Sequence, residues 1–356
     1  MKIYGSINIL FLISFILIFS SCSPKEYSQN NIIIQSSNYE DDVIYGFEKL
    51  TINMGKDYEG DVISTVIRKK TDLKNDSAFL YIHGFNDYFF QYELADKIEA
   101  NGYRFYAVDL RKYGRSILPH QIPSNFRNIK EYYPDIDLAI NVMKSEGIKN
   151  IVILGHSTGG LIASLYVEDN KNNEAIKLLV LNSPFFDFNL KLPKKTILPI
   201  IVSIGNFSPN IKNKSKKKNF YSNTISKDLD GEWVFNRDWK RDNLDVNYGW
   251  VRGIYKAQKR IKRGLNIDIP VLVMRSSKSE YIYTEKAYNN YDGGDLILSV
   301  KDIAKYSLRL GNNVTNVVIN KAFHDIFLSK KDIREKGYKD MLFWVNSYIN
   351  YEKESE

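Results

Sequence analysis

From residue 46 onward the chain alternates short apolar runs with longer amphipathic stretches. Residues 46–53 and 61–69 are strand-like and read as an antiparallel pair that opens a sheet. Six further runs follow, at 78–85, 103–110, 151–155, 176–184, 269–277 and 313–320, rich in apolar and β-branched residues as buried strands are. Helical patterns lie between them: one in the stretch that Gly102 stops, one over 135–146, one directly after Ser157, and one over about 332–351. Strands alternating with helices predict an α/β protein, with a mostly parallel sheet covered on both faces. Reactive groups in such sheets collect just past the carboxyl ends of the strands. The residues following each strand therefore carry the candidate chemistry.

The first residues follow a different pattern. Lys2 precedes an apolar core over 9–19 that only Ser14 interrupts, and Ser20 and Ser21 come directly before Cys22. That core is short of the roughly 20 residues a membrane span needs, and reads as a secretory signal, with an uncleaved N-terminal anchor as the alternative. It resembles a bacterial lipoprotein signal, with Phe19-Ser20-Ser21-Cys22 as the processing box. The resemblance implies removal of residues 1–21 and acylation of Cys22. It also implies an exported protein held by lipid on a membrane of the bacterial cell envelope. Residues 22–42, polar and rich in Ser, Asn and Gln, read as a tether to the folded domain.

Composition narrows the function classes. With 356 residues, 44% hydrophobic and 26% charged, the chain can bury its own core. Its one cysteine excludes a disulfide framework and a thiolate metal site. A net charge of +8 suits an anionic surface, yet no nucleic-acid-binding pattern accompanies it. The chain is rich in Lys, Asn and Ile together, so a general compositional bias explains the excess of Lys, and no nucleic-acid partner is expected.

The sharpest signal is Gly155-His156-Ser157-Thr158-Gly159, where a strand hands over to an apolar helix. A serine on so tight a turn is pushed out of the sheet, and flanking glycines are needed because a Cβ there would strike neighbouring backbone. Ser157 is the candidate nucleophile. A serine hydroxyl needs a base, and the chain has four histidines. His156 is adjacent to Ser157 on the turn, His83 sits in the turn after an earlier strand, and His120 lies in a Pro-flanked loop. His324 follows the last strand, in the chain order Ser, acid, His of a nucleophile-elbow hydrolase, and is the candidate base. Asp325 beside it reads as a cap for the following turn. The donors for a developing oxyanion map to the Thr158 and Phe85 backbone N–H groups, with Gly84 allowing close approach.

With these residues in place, the chain resembles the α/β-hydrolase superfamily. More narrowly, it is similar to the monoglyceride lipase and lysophospholipase-like branch that includes serine aminopeptidase-like hydrolases. The resemblance spans roughly 46–351 and is carried by "YIHGFNDYF", "VDLRKYGRS", "LGHSTGG", "LNSPFFDF", "IPVLVMRSS" and "FHDIFLS". It implies an eight-stranded sheet, a helical cap, a serine triad, and neither cofactor nor metal. The core is then 43–184 with 251–356, and the cap is 185–250. Lys112 stands where the family usually has Gly, among loop-shaping residues. The acid usually follows the strand "PVLVM" within a few residues, but that place reads Ser276-Ser277-Lys278-Ser279. Similarity to bacterial relatives with serine at that place points to Asp295, whose two preceding glycines let the loop fold back toward His324. Glu280 and Asp292 are the alternatives.

The cap holds an apolar run at 196–207, a lysine-rich stretch at 212–218, and several aromatics including Trp233, Trp239 and Trp250. An apolar helix beside lysines suits an anionic lipid surface; cap packing beside a solvated loop accounts for it equally. The sequence thus points to a serine hydrolase of carboxylic esters, with a lipid-like small-molecule substrate of monoacylglycerol or lysophospholipid type. The alternatives are a peptidase or amidase with the same triad, and a surface lipoprotein that keeps the fold for binding.

Overall fold

In the computed structural model, which describes residues 38–190, 194–213, 220–242 and 244–355, the apolar runs assemble into one large sheet. The signal, Cys22, the tether as far as residue 37, and residues 214–218 of the lysine stretch lie outside the described residues. The elements are β1 (Glu40–Asp41), β2 (Phe47–Asp57), β3 (Gly60–Lys69), β4 (Ser77–Ile82), α1 (Tyr92–Ala100), β5 (Arg104–Asp109), α2 (Tyr133–Ser145), β6 (Asn150–His156), α3 (Thr158–Asp169) and β7 (Ile176–Asn182). There follow α4 (Lys194–Phe207), β8 (Lys212–Asn213), α5 (Phe220–Ile225), β9 (Val246–Asn247), α6 (Tyr248–Arg263), β10 (Val271–Ser276), α7 (Glu285–Tyr288), α8 (Val300–Ser307), β11 (Val314–Ile319) and α9 (Lys331–Ser355).

The sheet order is β1-β2-β3-β5-β4-β6-β7-β10-β11. From β5 to β11 every neighbouring pair is parallel, while β1, β2 and β3 join antiparallel. Alternate residues of the parallel strands face opposite sides. Phe79, Tyr81, Val152, Leu154, Leu178 and Val180 pack with Leu94 and Ile98 of α1 and with Met341 and Val345 of α9. Leu80, Ile82, Ile153, Leu179 and Leu181 are equally buried on the other face, where α2 and α3 lie against the strands. Burial on both sides is why these strands read as unbroken apolar runs.

Eight of the nine strands coincide with the expected runs. The ninth, β1, corrects the expected eight-stranded sheet and extends ordered pairing two residues into the stretch read as tether. No hydrophobic period announces it. Its neighbour Asp42 takes two hydrogen bonds from the buried Arg115 guanidinium, at 2.6 and 2.7 Å, and Arg115 also pairs with Asp109 at 2.8 Å. Lys112 shows what its departure from glycine does. It adopts φ 65°, is fully buried, and ion-pairs with Asp57 and Glu59 at 2.6 and 3.0 Å, locking the β2–β3 turn onto the loop after β5.

Between β7 and the body of α6 the chain builds α4, α5 and the two-residue β8–β9 pair. α4 packs on α6 but leaves Ile197, Ile200, Ile204 and Phe207 exposed along one stripe. α6 is capped by the Asn247 side chain and ends at Gly264, whose φ is 103°.

Candidate active site

The turn after β6 is built from close backbone contacts. A Cβ at Gly155 would lie 2.7 Å from the Gly159 carbonyl oxygen, and one at Gly159 would lie 2.3 and 2.4 Å from the Ile82 and His83 carbonyl oxygens. These neighbours are backbone and cannot move aside. Ser157 between them takes φ 53° and ψ −115°, a region a non-glycine residue occupies only under constraint. Its N–H donates to the Asn182 carbonyl at 3.0 Å, and its carbonyl accepts from Phe185 N–H at 2.9 Å. Gly159→Ala is accordingly expected to cost about 1–3 kcal/mol or more by overpacking, read as a lower urea midpoint with an unchanged m-value.

The elbow aims Ser157 Oγ at His324. The Oγ lies 2.9 Å from His324 Nε2, and Nδ1 of the same ring lies 2.9 Å from Asp295 Oδ2. Ser157, His324 and Asp295 are 8%, 4% and 0% exposed, so the line of hydrogen bonds is largely shielded from water. Nδ1–H donates to the carboxylate, which leaves Nε2 as the acceptor for the serine proton.

Asp295 reaches His324 by a detour. After β10 the chain runs through α7 and returns so that Asp295 bridges Ser279, at the place where the sequence lacks an acid. Gly293 and Gly294 make the return, at φ 118° and 122°. A Cβ on Gly293 would fall 2.4 Å from the Lys321 carbonyl oxygen. The other Asp295 oxygen, Oδ1, accepts from the Ile297 and Leu298 N–H groups at 2.8 Å each, which fixes the carboxylate orientation. Glu280 and Asp292 are not part of this line. Glu280 pairs with Lys278 at 2.7 Å. Asp292 pairs with Lys278 and Lys321, which pull its pKa down to about 2.

Phe85 and Thr158 line the same cavity as Ser157. Thr158 is the first residue of α3, whose N-cap offers no side-chain acceptor, so its N–H has no partner within the helix. The loop carrying Phe85 is shaped by His83, which bonds the Gly84 carbonyl through Nδ1 at 2.8 Å and accepts from Leu110 N–H at 3.1 Å. Next to Phe85, Asn86 exchanges two hydrogen bonds with the Arg241 backbone, at 2.6 and 3.1 Å. Buried Asp87 pairs with Lys240 at 2.8 Å. Burial works against the Asp87 charge, but Lys240 outweighs it and lowers the pKa. Residues 240–241 thus clip the loop that carries Phe85.

Further residues surround the line, and Tyr221, Asn182 and Gln91 among them carry no sequence signal of their own. The His156 ring lies 4.9 Å from the His324 ring, and burial pushes the pKa of its imidazole below the ordinary value. Tyr221 of the cap meets the His324 ring edge-on at 5.7 Å. Asp325 caps the turn after His324 as expected, accepting from Phe327 N–H at 3.0 Å. It also accepts from the side chains of Asn182 at 2.7 Å and Gln91 at 3.2 Å, tying the end of β7 and the N-terminus of α1 to the turn after His324. His120 is remote, against the Asp61 carbonyl.

Ser157 and His324 open into a cavity of about 460 Å³. Its lining includes the apolar Phe85, Phe185, Leu244, Trp250, Ile297 and Leu298 and the charged Asp87, Lys240, Arg241 and Asp242. Both carboxylates are already paired, Asp87 with Lys240 and Asp242 with Arg237 at 2.6 Å. Among the described residues no group of three or more His, Cys, Asp or Glu side chains is arranged to hold a metal ion.

A family model described as serine aminopeptidase, S33, matches residues 74–331. Among curated proteins, the chain is 30% identical to epoxide hydrolase 3 of Xenopus tropicalis over 131 residues, which is 34% of this chain and 33% of that one. It is 27% identical to phospholipase YtpA of Bacillus subtilis over 119 residues, 33% of this chain and 44% of that one. The chain therefore spans less than half the length of these relatives. Among solved structures, a soluble variant of monoglyceride lipase from Saccharomyces cerevisiae superposes with a TM-score of 0.62 at 17% identity, covering 88% of this chain and 98% of that one. A thermostable carboxyl esterase from Bacillus coagulans gives 0.58 at 13% identity, covering 86% and 100%. At these identities the likeness speaks for the fold.

Proposed function

Because this chain belongs to the serine aminopeptidase (S33) family and has the α/β-hydrolase fold, we propose that it is a serine hydrolase of carboxylic esters working through an acyl-enzyme on Ser157. The observation that carries the reading is the unbroken line Ser157 Oγ, His324, Asp295, with 2.9 Å at both links. His324 Nε2 takes the serine proton as Oγ attacks the ester carbonyl. The negative charge that develops on the carbonyl oxygen is met by the Phe85 amide in the loop after β4 and by the Thr158 amide at the N-terminus of α3. The tetrahedral intermediate then collapses, and His324 returns the proton to the leaving alcohol. Water repeats the sequence on the acyl-enzyme. Asp295 holds the ring in the required tautomer and offsets its charge. No step needs a cofactor or a metal.

A lipid-like substrate of monoacylglycerol or lysophospholipid type suits the apolar residues that line the cavity. The exposed α4 stripe, Ile197, Ile200, Ile204 and Phe207, has exposed Lys212 just beyond its end. It is suited to lie on an anionic lipid surface. The N-terminal signal supports export and attachment to a bacterial envelope membrane through acylated Cys22. Among the described residues no helix is long and apolar enough to cross a membrane.

Ester is favoured over aminopeptidase chemistry by the paired carboxylates. An aminopeptidase must hold a free α-ammonium, and Asp87 and Asp242 of the cavity wall are each engaged by a cation. A panel of monoacylglycerol, lysophospholipid, p-nitrophenyl acyl esters and aminoacyl p-nitroanilides separates the readings. We expect kcat/KM on the acyl esters to exceed that on the anilides by at least about a hundredfold, the order of discrimination that an unmatched polar group imposes. The reverse ranking makes it a peptidase. No turnover of any member by folded protein returns it to a binding role.

A further inference from the structure

A second concavity, of about 170 Å³, lies between α6 and the turn at residues 127–130, and is lined by cationic side chains. Arg127 and Lys130 come from the turn, and Arg252, Lys256 and Arg260 from successive turns of α6. Gly253 makes the cleft narrow. A Cβ there would stand 2.6 Å from the Phe126 ring, so helix and turn are in direct contact at its floor.

Five positive side chains around one small hollow repel each other, and the neighbouring carboxylates do not balance them. Asp169 accepts from Arg260 at 2.6 and 2.8 Å and pairs with Lys130 at 3.1 Å. Glu131 is turned back on the Arg127 and Asn128 N–H groups and on the Tyr58 hydroxyl. No carboxylate pairs with Arg252 or Lys256 among the described residues. Burial and then Arg252 push the Lys256 pKa down, consistent with a crowded cation lacking its counter-charge. Arg127 lies 3.7 Å over the Tyr58 ring, and its buried Nε has no hydrogen-bond partner. Buried donors are normally paired. Helix stability does not explain the arrangement either. Cations in the last turn of α6 complement the macrodipole, but Arg252 and Lys256 lie in its body, where the dipole gives them nothing.

We propose that this cleft binds a phosphate group, carried by free phosphate or by an anionic lipid head group. A multiply charged oxyanion supplies acceptors to Arg252, Lys256 and Arg127 at once, and charge-assisted hydrogen bonds from guanidinium to phosphate are the strong kind. The volume suits a single such group, being below the ~300–1,000 Å³ of pockets that enclose whole ligands. The site is separate from the 460 Å³ cavity, since the two share no lining residue. It stands whatever the reaction at Ser157.

The test is thermal unfolding of the full chain in potassium phosphate against potassium chloride at equal ionic strength. It is paired with co-sedimentation on phosphatidylglycerol and phosphatidylcholine vesicles. The wild type is expected to gain a phosphate-specific rise in Tm. Arg252→Gln with Lys256→Gln should weaken the apparent phosphate affinity at least about tenfold, the loss of one charged hydrogen bond or more. Lys259→Gln with Arg263→Gln, on the same helix but outside the cleft, should not. All four positions are exposed or half-exposed, and circular dichroism checks that each variant folds. A phosphate effect without a phosphatidylglycerol preference identifies free phosphate as the ligand. A phosphatidylglycerol preference lost in the cleft variant identifies the lipid head group. Neither effect in the wild type, or equal losses in both variants, overturns the site.

Discussion

Ser157→Ala is expected to lower kcat on a soluble p-nitrophenyl ester roughly a million-fold, the loss seen when a nucleophile is taken from a triad acting as a unit. The folded structure should be unchanged, because Ser157 Oγ is bonded to His324 alone and the turn is held by backbone contacts. The backbone supplies a second, opposite effect at the same position. At φ 53° and ψ −115° a side chain stores strain of about 1–3 kcal/mol. Alanine keeps that strain, whereas glycine relieves it. Offsetting the relief is the greater freedom of glycine in the unfolded chain, about 0.4–1 kcal/mol. Ser157→Gly should therefore be inactive and about 1 kcal/mol more stable than Ser157→Ala, read from denaturant midpoints. Equal midpoints would mean the elbow is not strained.

The second large effect is at Asp295. Asp295→Asn is nearly isosteric, but the Ile297 and Leu298 amides both donate to Oδ1. They hold the new side-chain oxygen on their own side and turn the NH2 toward His324 Nδ1. The ring must then accept there and carry its proton on Nε2, where it can no longer serve as a base. A loss in kcat of about ten-thousand-fold is expected, the size of a wrong-tautomer defect. Glu280→Gln and Asp292→Asn should stay within about twofold, since both carboxylates are taken up by lysines on the loop surface. A large loss at either of these, with little at Asp295, would reassign the acid.

These expectations show how unevenly the sequence is legible. The parallel strands are visible because burial on both faces leaves only apolar residues, and the elbow is visible because its glycines answer to clashes with local backbone. His324 follows from chain order and the shortage of histidines. Asp295 is harder to read. The family's usual place for the acid falls at residues 276–279, where none stands, and it is the similarity to relatives with serine there, with the glycine pair at 293–294, that points on to Asp295. β1 is illegible, since two polar residues held by an ion pair at Asp42 leave no period. The contact of Tyr221 with the His324 ring depends on where an insertion folds back. The cationic cleft joins residues 127–130 with 252–260, and no local pattern in either segment brings them together.

Reaction of the full chain with a serine-reactive fluorophosphonate, followed by mass mapping of the modified peptide, tests the central claim most directly. The expected result is one adduct per chain on Ser157, absent in Ser157→Ala and formed far more slowly in Asp295→Asn. Folded wild-type protein that takes no label, or that carries it on another residue, contradicts the account.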